Sequence, residues 1–219
     1  MFKAVVFDLF ETLVTQSGTA VPRAGALGEA LGLDATAYRK QWKQLRSLVL
    51  RGELTFAEAL TKVGTTLGIA IAGDRVQHAC DERVRANTAI FERADSELVT
   101  LTRDLRARGV RLATISNCMA EDVAGWPNCA FAPQFECAVF SFAAGVVKPD
   151  VRIYLDAIQR LGVKPKDMLY IGDGGDDELQ GAQRAGLRAA QASWFVSRAA
   201  SAAVPLLANR QDVMRLVFP

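Results

Sequence analysis

Acidic and basic residues follow short apolar segments of this 219-residue chain in positions where they could do chemistry. Asp8 comes after a run of β-branched and apolar residues, and Asp173 comes after another. Ser116, Asn117 and Lys148 stand near two further apolar runs. Carboxylates bind hard cations such as Mg²⁺, whereas lysine, serine and asparagine donate hydrogen bonds to anionic oxygens. A central carboxylate can also attack a substrate and form a covalent intermediate.

Short apolar runs predict the strands that carry these residues. Strands are expected at 3–7, 110–115, 137–141 and 168–171, with a weaker one at 187–191. Helices are expected at 96–108, 120–125, 150–161, 176–185 and 210–217. This alternation predicts an α/β fold with a parallel sheet that is covered on both faces. Because such sheets bind ligands at the carboxyl ends of their strands, the reactive residues are expected at one edge.

The segment from about Pro22 to Phe91 has a different pattern. It is rich in alanine, leucine, arginine, glutamate and lysine at helical spacing, and it contains few strand formers. Gly32, Gly52 and Gly68 stand where helices should end. The pattern predicts four helices that form an inserted, all-helical module.

Composition narrows the class of protein. The chain has 26 basic and 24 acidic residues and no long basic run, which argues against a nucleic-acid partner. No uncharged apolar stretch is long enough to cross a bilayer, and the first apolar run is too short for a signal peptide. We therefore expect a cytoplasmic protein without a membrane partner. The four cysteines lack zinc-type spacing and are expected to be reduced thiols.

Four motifs occur in the order FDLFETL, ISN, VVKPD and YIGDGGDDELQGAQRAG, each near the end of a predicted strand. In this order the sequence resembles the haloacid dehalogenase superfamily of hydrolases. The resemblance covers most of the chain and implies a Rossmann-like core, residues 1–14 and 92–219. Residues 15–91 match the position of the helical cap that one subgroup of the superfamily carries.

The resemblance implies a role for each matching residue in catalysis or metal binding. Asp8 matches the nucleophile, and Lys148 matches the lysine that neutralises the nucleophile and the phosphate. The implied Mg²⁺ ligands are Asp8, the backbone carbonyl of Phe10 and Asp173. Asp177 matches the acid that orients the waters of the metal or the lysine.

Further candidates surround these residues. Thr12 matches the hydroxyl that closes the first motif. Ser116, with the backbone of Asn117, matches the group that holds the oxygens of the transferring phosphoryl group. Glu11 is the nearest acid to the nucleophile, although a structural or solvated role suits it better. Arg51 in the cap could hold a substrate anion, although an arginine on an exposed helix is more commonly solvated.

Phe10 departs from the pattern of the phosphatases in the superfamily, which usually have a second aspartate there as general acid and base. Such help is worth roughly 10²–10⁴-fold in rate. Three explanations stay open: the substrate has a good leaving group, another group such as Glu11 substitutes, or the reaction is not phosphate-ester hydrolysis. The dehalogenases of the superfamily carry tyrosine at this position and its phosphonatases carry alanine, so the absence of the aspartate does not imply inactivity.

The acidic segment after Asp173 favours a metal-dependent reaction, because the dehalogenases that resemble this chain need no metal and have a segment rich in serine and asparagine there. We therefore predict a Mg²⁺-dependent phosphatase that acts on a small phosphorylated metabolite through an aspartyl-phosphate, as a monomer or a homodimer. The alternatives are a metal-independent 2-haloacid dehalogenase and a phosphate-binding regulatory protein that has lost turnover.

Overall fold

The computed structural model describes residues 1–21 and 24–219, and within these ranges six parallel strands form one sheet. The strands are β1 (Ala4–Asp8), β2 (Arg111–Ser116), β3 (Cys137–Phe140), β4 (Met168–Gly172), β5 (Arg188–Ala192) and β6 (Leu206–Leu207). Their order across the sheet is β3-β2-β1-β4-β5-β6. The predicted α/β fold with a parallel sheet is thereby confirmed.

The helices of the described ranges fall into two groups, one between β1 and β2 and one along the sheet. They are α1 (Ala24–Ala30), α2 (Ala35–Leu50), α3 (Phe56–Thr66), α4 (Gly73–Glu92), α5 (Ser96–Ala107), α6 (Ser141–Ala144), α7 (Val151–Leu161), α8 (Glu178–Arg184) and α9 (Arg210–Val217). Helices α5 and α9 share an apolar core with one face of the sheet, and α7 and α8 share a core with the other face. None of these helices is both long and apolar enough to cross a membrane.

Strand β1 lies at the centre of the sheet, and all five of its residues are buried. Val5 and Phe7 pack on the side of α5 and α9, whereas Ala4 and Val6 pack on the side of α7 and α8. Burial of one large apolar side chain contributes roughly 1.5–3 kcal/mol. Since both faces of β1 are covered, the strand reads as a continuous apolar run and places Asp8 at its carboxyl end.

Helices α1 to α4 have an apolar core of their own. Asp34 caps α2 by accepting hydrogen bonds from two backbone N–H groups, and Thr55 and Glu58 form a capping box at the start of α3. Pro22, where the helical pattern of the sequence begins, lies outside the described residues. The domain bounds at 14–15 and 91–92 stay predictions.

Two local predictions differ from the structure. The helix expected at 120–125 is replaced by two short 3₁₀ turns, Ala120–Asp122 and Trp126–Asn128. The second turn contains a proline, which lacks the N–H that a continued helix needs. The helix expected from position 176 begins at Glu178 instead, after a 3₁₀ turn.

Candidate active site

The carboxyl ends of β1, β2 and β4 meet where the path of the chain through the sheet reverses. After β1 the chain builds β2 and β3 on one side, and then returns to place β4 on the other side of β1. Asp8 is level with Ile115, the residue before Ser116, and Asp173 directly follows β4. Open parallel sheets bind ligands in the crevice at such a switch point. The sheet therefore brings Asp8, Ser116 and Asp173 to one edge.

Lys148 lies at the centre of a buried group of polar side chains. Its Nζ contacts Oδ1 of Asp8 and lies 2.5 Å from Oε2 of Glu178. The hydroxyl of Tyr170 donates to the same Glu178 oxygen at 2.6 Å and accepts from Lys148 Nζ at 3.2 Å. Loss of one partner from a buried ion pair leaves an uncompensated charge, at a cost of about 3–5 kcal/mol. These contacts thus fix the lysine beside Asp8.

The site carries more negative than positive charge. Burial raises the pKa of Asp8 to about 7, and the charge of Glu178 adds to this effect while that of Lys148 opposes it. Burial by itself lowers the pKa of Lys148, but the charges of Asp8 and Glu178 outweigh burial and raise that pKa above its ordinary value. The two shifts have different main causes: burial for Asp8, and the neighbouring carboxylates for Lys148. A bound cation would relieve this excess.

Asp8, Asp173 and Glu178 fit a divalent cation. Each offers one carboxylate oxygen, and the three oxygens lie within 4.8 Å of one another in a buried position. Mg²⁺ prefers oxygen ligands of this kind. The backbone N–H of Gly175 donates to Oδ1 of Asp173 at 2.8 Å, and Nε of Arg198 donates to Oδ2 at 2.7 Å. These contacts orient Asp173 at the edge of the sheet.

Glu178, rather than the predicted Asp177, completes this carboxylate group within the described residues. Asp176 and Asp177 both have a positive φ of 52°, so the chain makes an extra turn before α8 begins. The side chain of Asp177 is exposed, whereas Glu178 is 1% exposed and also accepts a hydrogen bond from the N–H of Gly174 at 3.0 Å. Sequence reasoning fixed on the spacing of four residues. No local sequence pattern shows the two positive φ values that bring Glu178 into the group.

The predicted phosphoryl-binding residues lie on the β2 side of the crevice. Ser116 ends β2 and is 1% exposed. Asn117 accepts a hydrogen bond from the N–H of Lys148 at 2.7 Å and donates to the carbonyl of Lys148 at 3.1 Å. It also donates to Asp176 at 3.1 Å. Asn117 therefore ties the loop of the lysine to the loop after β4.

Thr12 lies in the loop that follows Asp8 and β1. Its hydroxyl is buried and has no hydrogen-bond partner among residues 1–21 and 24–219. Its carbonyl accepts a hydrogen bond from the indole of Trp194 at 2.9 Å. Trp194 and Arg198 belong to the loop between β5 and β6, and no sequence motif predicted that this loop lies beside the site. The loop thus contacts both the segment after Asp8 and Asp173.

The side chains of Phe10 and Glu11 point in different directions. The ring of Phe10 packs against Phe91, with 6.5 Å between ring centroids, and lines a cavity between the core and the helical module. Glu11 accepts hydrogen bonds from the hydroxyl of Thr15 at 2.6 Å and the N–H of Gln16 at 2.8 Å. Glu11 thus closes its own loop and is not among the residues that line the cavity.

Arg51 does not line this cavity either, and its guanidinium lies 2.5 Å from the carboxylate of Glu53. The cavity has a volume of about 230 Å³ and its lining includes two other arginines, Arg46 of α2 and Arg83 of α4. Asn117 forms part of the wall on the core side. The cavity therefore extends from the predicted phosphoryl site towards the helical module.

Two phosphatases are similar to this chain in sequence. The glyceraldehyde 3-phosphate phosphatase of Methanothermobacter thermautotrophicus is 29% identical over 201 residues, which cover 86% of this chain and 84% of that protein. The enzyme of the same name from Methanopyrus kandleri is 33% identical over 94 residues, so the match spans only 42% of this chain and 40% of that protein. This chain thus matches less than half of the length of that second relative.

Among solved structures, the 2-haloacid dehalogenase from Pseudomonas syringae pv. Tomato DC3000 has a TM-score of 0.73 at 23% identity, and the match covers 99% of this chain and 98% of that chain. This likeness concerns the fold. A family model described as haloacid dehalogenase-like hydrolase matches residues 2–186. Since the match takes in the strand of Asp8, the loop of Lys148 and the acidic segment after β4, this chain belongs to the haloacid dehalogenase-like hydrolases.

Proposed function

We propose that this hydrolase is a Mg²⁺-dependent phosphatase in which Asp8 is the nucleophile. The observation that supports this most directly is the buried group of Asp8, Asp173 and Glu178, two of which contact Lys148. A site with an excess of carboxylates is suited to a divalent cation and, through it, to a phosphoryl group. The relatives named glyceraldehyde 3-phosphate phosphatase agree with this chemistry.

In the first proposed step, Asp8 attacks the phosphorus of a phosphate monoester. Lys148 contacts Oδ1 of Asp8, which leaves Oδ2 for the new O–P bond. The bond from phosphorus to the leaving alcohol breaks as the aspartyl-phosphate forms. Lys148, Ser116 and the N–H of Asn117 balance charge on the phosphoryl oxygens. When bound, Mg²⁺ supplies further positive charge to the same oxygens.

In the second proposed step, water attacks the phosphorus of the aspartyl-phosphate, which releases inorganic phosphate and regenerates the Asp8 carboxylate. The alkoxide released in the first step is protonated by water as it leaves the crevice, because Phe10 offers no proton. Closure of the helical module over the crevice would exclude bulk water while the O–P bond to Asp8 forms. We propose a small phosphorylated metabolite as substrate, because a cavity of about 230 Å³ has no room for a macromolecule.

A second candidate function is metal-independent hydrolysis of a carbon–halogen bond, and the observation that favours it is Phe10. A halide ion leaves without a proton, so a wall without an acid suits that reaction. Asp8 would then attack carbon and form an ester. The carboxylate excess around Lys148 argues against this candidate, since a reaction without a cation has no use for it.

Phosphate release from p-nitrophenyl phosphate, with Mg²⁺ and with EDTA, tests the proposal. We expect turnover only with Mg²⁺, and a loss of at least about 10³-fold in Asp8→Asn, because the amide is a poor nucleophile. Asp156→Asn, on the exposed side of α7, is the matched control and should keep wild-type activity. Halide release from 2-chloropropionate in EDTA, without phosphate release, would select the dehalogenase instead.

A further inference from the structure

The end of the cavity nearest the helical module carries polar groups that the chemistry at Asp8 does not use. Tyr38, Trp42 and Arg46 of α2 line this end, together with Arg83 of α4. Residues four apart lie on one face of a helix, so α2 presents a phenol, an indole and a guanidinium in a row. We call Tyr38, Arg46 and Arg83 the cap subsite.

Two donors of the cap subsite are buried without a partner. The hydroxyl of Tyr38 and Nε of Arg83 form no hydrogen bond with any residue in the described ranges. Tyr38 is 0% exposed, and burial raises the pKa of its phenol, with the nearby charge of Arg83 acting in the opposite direction. A buried donor without an acceptor is unfavourable. Its presence beside a cavity indicates that a ligand supplies the acceptor.

Tyr38 and Arg83 of the cap subsite are held in place by their neighbours. The guanidinium of Arg83 lies 2.6 Å from the carboxylate of Asp122 and 5.2 Å from the ring centroid of Phe56. The rings of Tyr38 and Trp42 are stacked, with 6.1 Å between centroids. These contacts leave the phenol and Nε in fixed positions. Fixed donors lose little entropy when an acceptor arrives.

The charge balance of the cap subsite favours an anion with one negative charge. Asp122 neutralises Arg83. Arg46 is exposed at the rim of the cavity and forms no ion pair within residues 1–21 and 24–219. One positive charge is therefore uncompensated. A carboxylate matches this charge and accepts hydrogen bonds from guanidinium and phenol groups.

We propose that the cap subsite binds a carboxylate on the leaving group, so that the substrate is the phosphate monoester of a small hydroxy acid. This inference rests on the proposed phosphatase function. A cavity of about 230 Å³ has room for a small organic acid. We assign a hydroxy acid of three or four carbons to it. The phosphate end would lie beside Asn117 and the carboxylate end beside Arg46.

Three probes that differ only at the first carbon test the proposal: 3-phosphoglycerate, glyceraldehyde 3-phosphate and glycerol 3-phosphate. They carry a carboxylate, an aldehyde and an alcohol, respectively. Charge-assisted hydrogen bonds contribute about 1.5–3 kcal/mol, which corresponds to about 10-fold to 100-fold. We expect at least 10-fold tighter calorimetric binding of 3-phosphoglycerate to the Asp8→Asn protein with Mg²⁺, and a similar preference in kcat/KM for the wild type.

Two variants assign the preference to the cap subsite. Arg46→Gln should weaken binding of 3-phosphoglycerate by at least 10-fold and binding of glycerol 3-phosphate by much less, so that most of the preference is lost. Tyr38→Phe should weaken binding of 3-phosphoglycerate about 5-fold. It should not lower Tm, because the Tyr38 hydroxyl forms no hydrogen bond with a described residue. Arg39→Gln is the matched control, since Arg39 is exposed on α2 and does not line the cavity.

The possible outcomes separate this inference from the proposed function. Equal binding of 3-phosphoglycerate and glycerol 3-phosphate overturns the cap subsite, as does an Arg46→Gln protein whose affinity for both probes falls equally. In those cases the proposed phosphatase function would still be supported by phosphate release from p-nitrophenyl phosphate. Conversely, absence of phosphate release from every ester overturns the phosphatase, while the calorimetric preference still decides whether a carboxylate binds.

Discussion

In the proposed mechanism, Phe10 limits which leaving groups the site can expel. It stands two residues after Asp8 and lines the cavity. Among the described residues, Asp122 is the one carboxylate in the cavity lining, and it is already bound by Arg83, Asn87 and the N–H of Met119. The described part of the wall thus offers no free carboxylic acid to protonate an alkoxide. The proposed phosphatase should therefore be slow on alkyl phosphates and faster on phenyl phosphates.

Phe10→Asp should raise the rate of phosphate release from glycerol 3-phosphate by about 10²-fold or more, because a general acid is worth roughly 10²–10⁴-fold. The gain for p-nitrophenyl phosphate should be small, since its leaving group needs no proton. Phe10→Asn, which has the same shape without the proton, is the control. A similar rate change on both esters, measured as kcat, would contradict the role we assign to Phe10.

At the residue level, the sequence predicted where most of the reactive groups lie. Asp8, Ser116 and Asp173 were placed by the rule that parallel strands end at one edge, and the structure has them there. Glu178 was missed because its position depends on two residues with positive φ, which no local pattern shows. Their catalytic and metal-binding roles stay predictions until variants are measured.

Helix α7 begins beside the catalytic loop, and its first turn is held by Asp150. The Asp150 carboxylate accepts hydrogen bonds from the side chain of Arg152 and from its N–H, at 2.7–3.2 Å. These hydrogen bonds lower the pKa of Asp150 to about 2, and those from the Arg152 side chain contribute more than the one from its backbone N–H. Lys148 lies two residues earlier, so this cap also anchors the loop of the lysine.

Asp150→Asn should remove a pH-dependent part of the stability. A carboxyl whose pKa is lowered by folding stabilises the protein above its unfolded pKa of about 3.9, and this contribution is lost as the pH falls towards 2. Wild type should therefore melt above Asp150→Asn at pH 6, and the gap in Tm should shrink at pH 3. Asp104→Asn, exposed on α5, controls for the loss of one charge. A constant gap would refute the assignment.

At the element level, long periodic segments were predicted well and short ones poorly. Helix α7 spans Val151–Leu161 against an expected 150–161, because its apolar face repeats regularly and Gly162 ends it with a positive φ of 59°. Strand β6 was not predicted, since its two residues are held by pairing with β5 rather than by their own pattern. Tertiary contacts decide such short elements.

The whole molecule should become more stable when Mg²⁺ binds, because an ion that binds only the folded state shifts the unfolding equilibrium. At ten times its Kd, Mg²⁺ should contribute about 1.4 kcal/mol and raise Tm by roughly 3–6 °C. Asp173→Asn should lose most of this shift, whereas Asp156→Asn should keep it. An equal shift in both variants, measured by scanning calorimetry, would place the ion elsewhere.

At the scale of the whole molecule, the sequence predicted the layers but not the contacts between the two units. Arg83 of α4 and Asp122 are 2.6 Å apart although many residues separate them in sequence. Composition and periodicity say nothing about such a pairing, because it depends on how two surfaces meet. The cytoplasmic location and the monomeric or homodimeric state likewise stay predictions.

The hydrogen bond between Gln16 and Asn87, at 3.0 Å, has a consequence for how such proteins diversify. Gln16 precedes the helical module in sequence, and Asn87 lies near the end of its last helix. The chain therefore crosses between the two units at neighbouring points. Recombination at these crossings would exchange one module for another without altering the register of any strand. A lineage could in this way inherit its reaction from one ancestor and its choice of substrate from another.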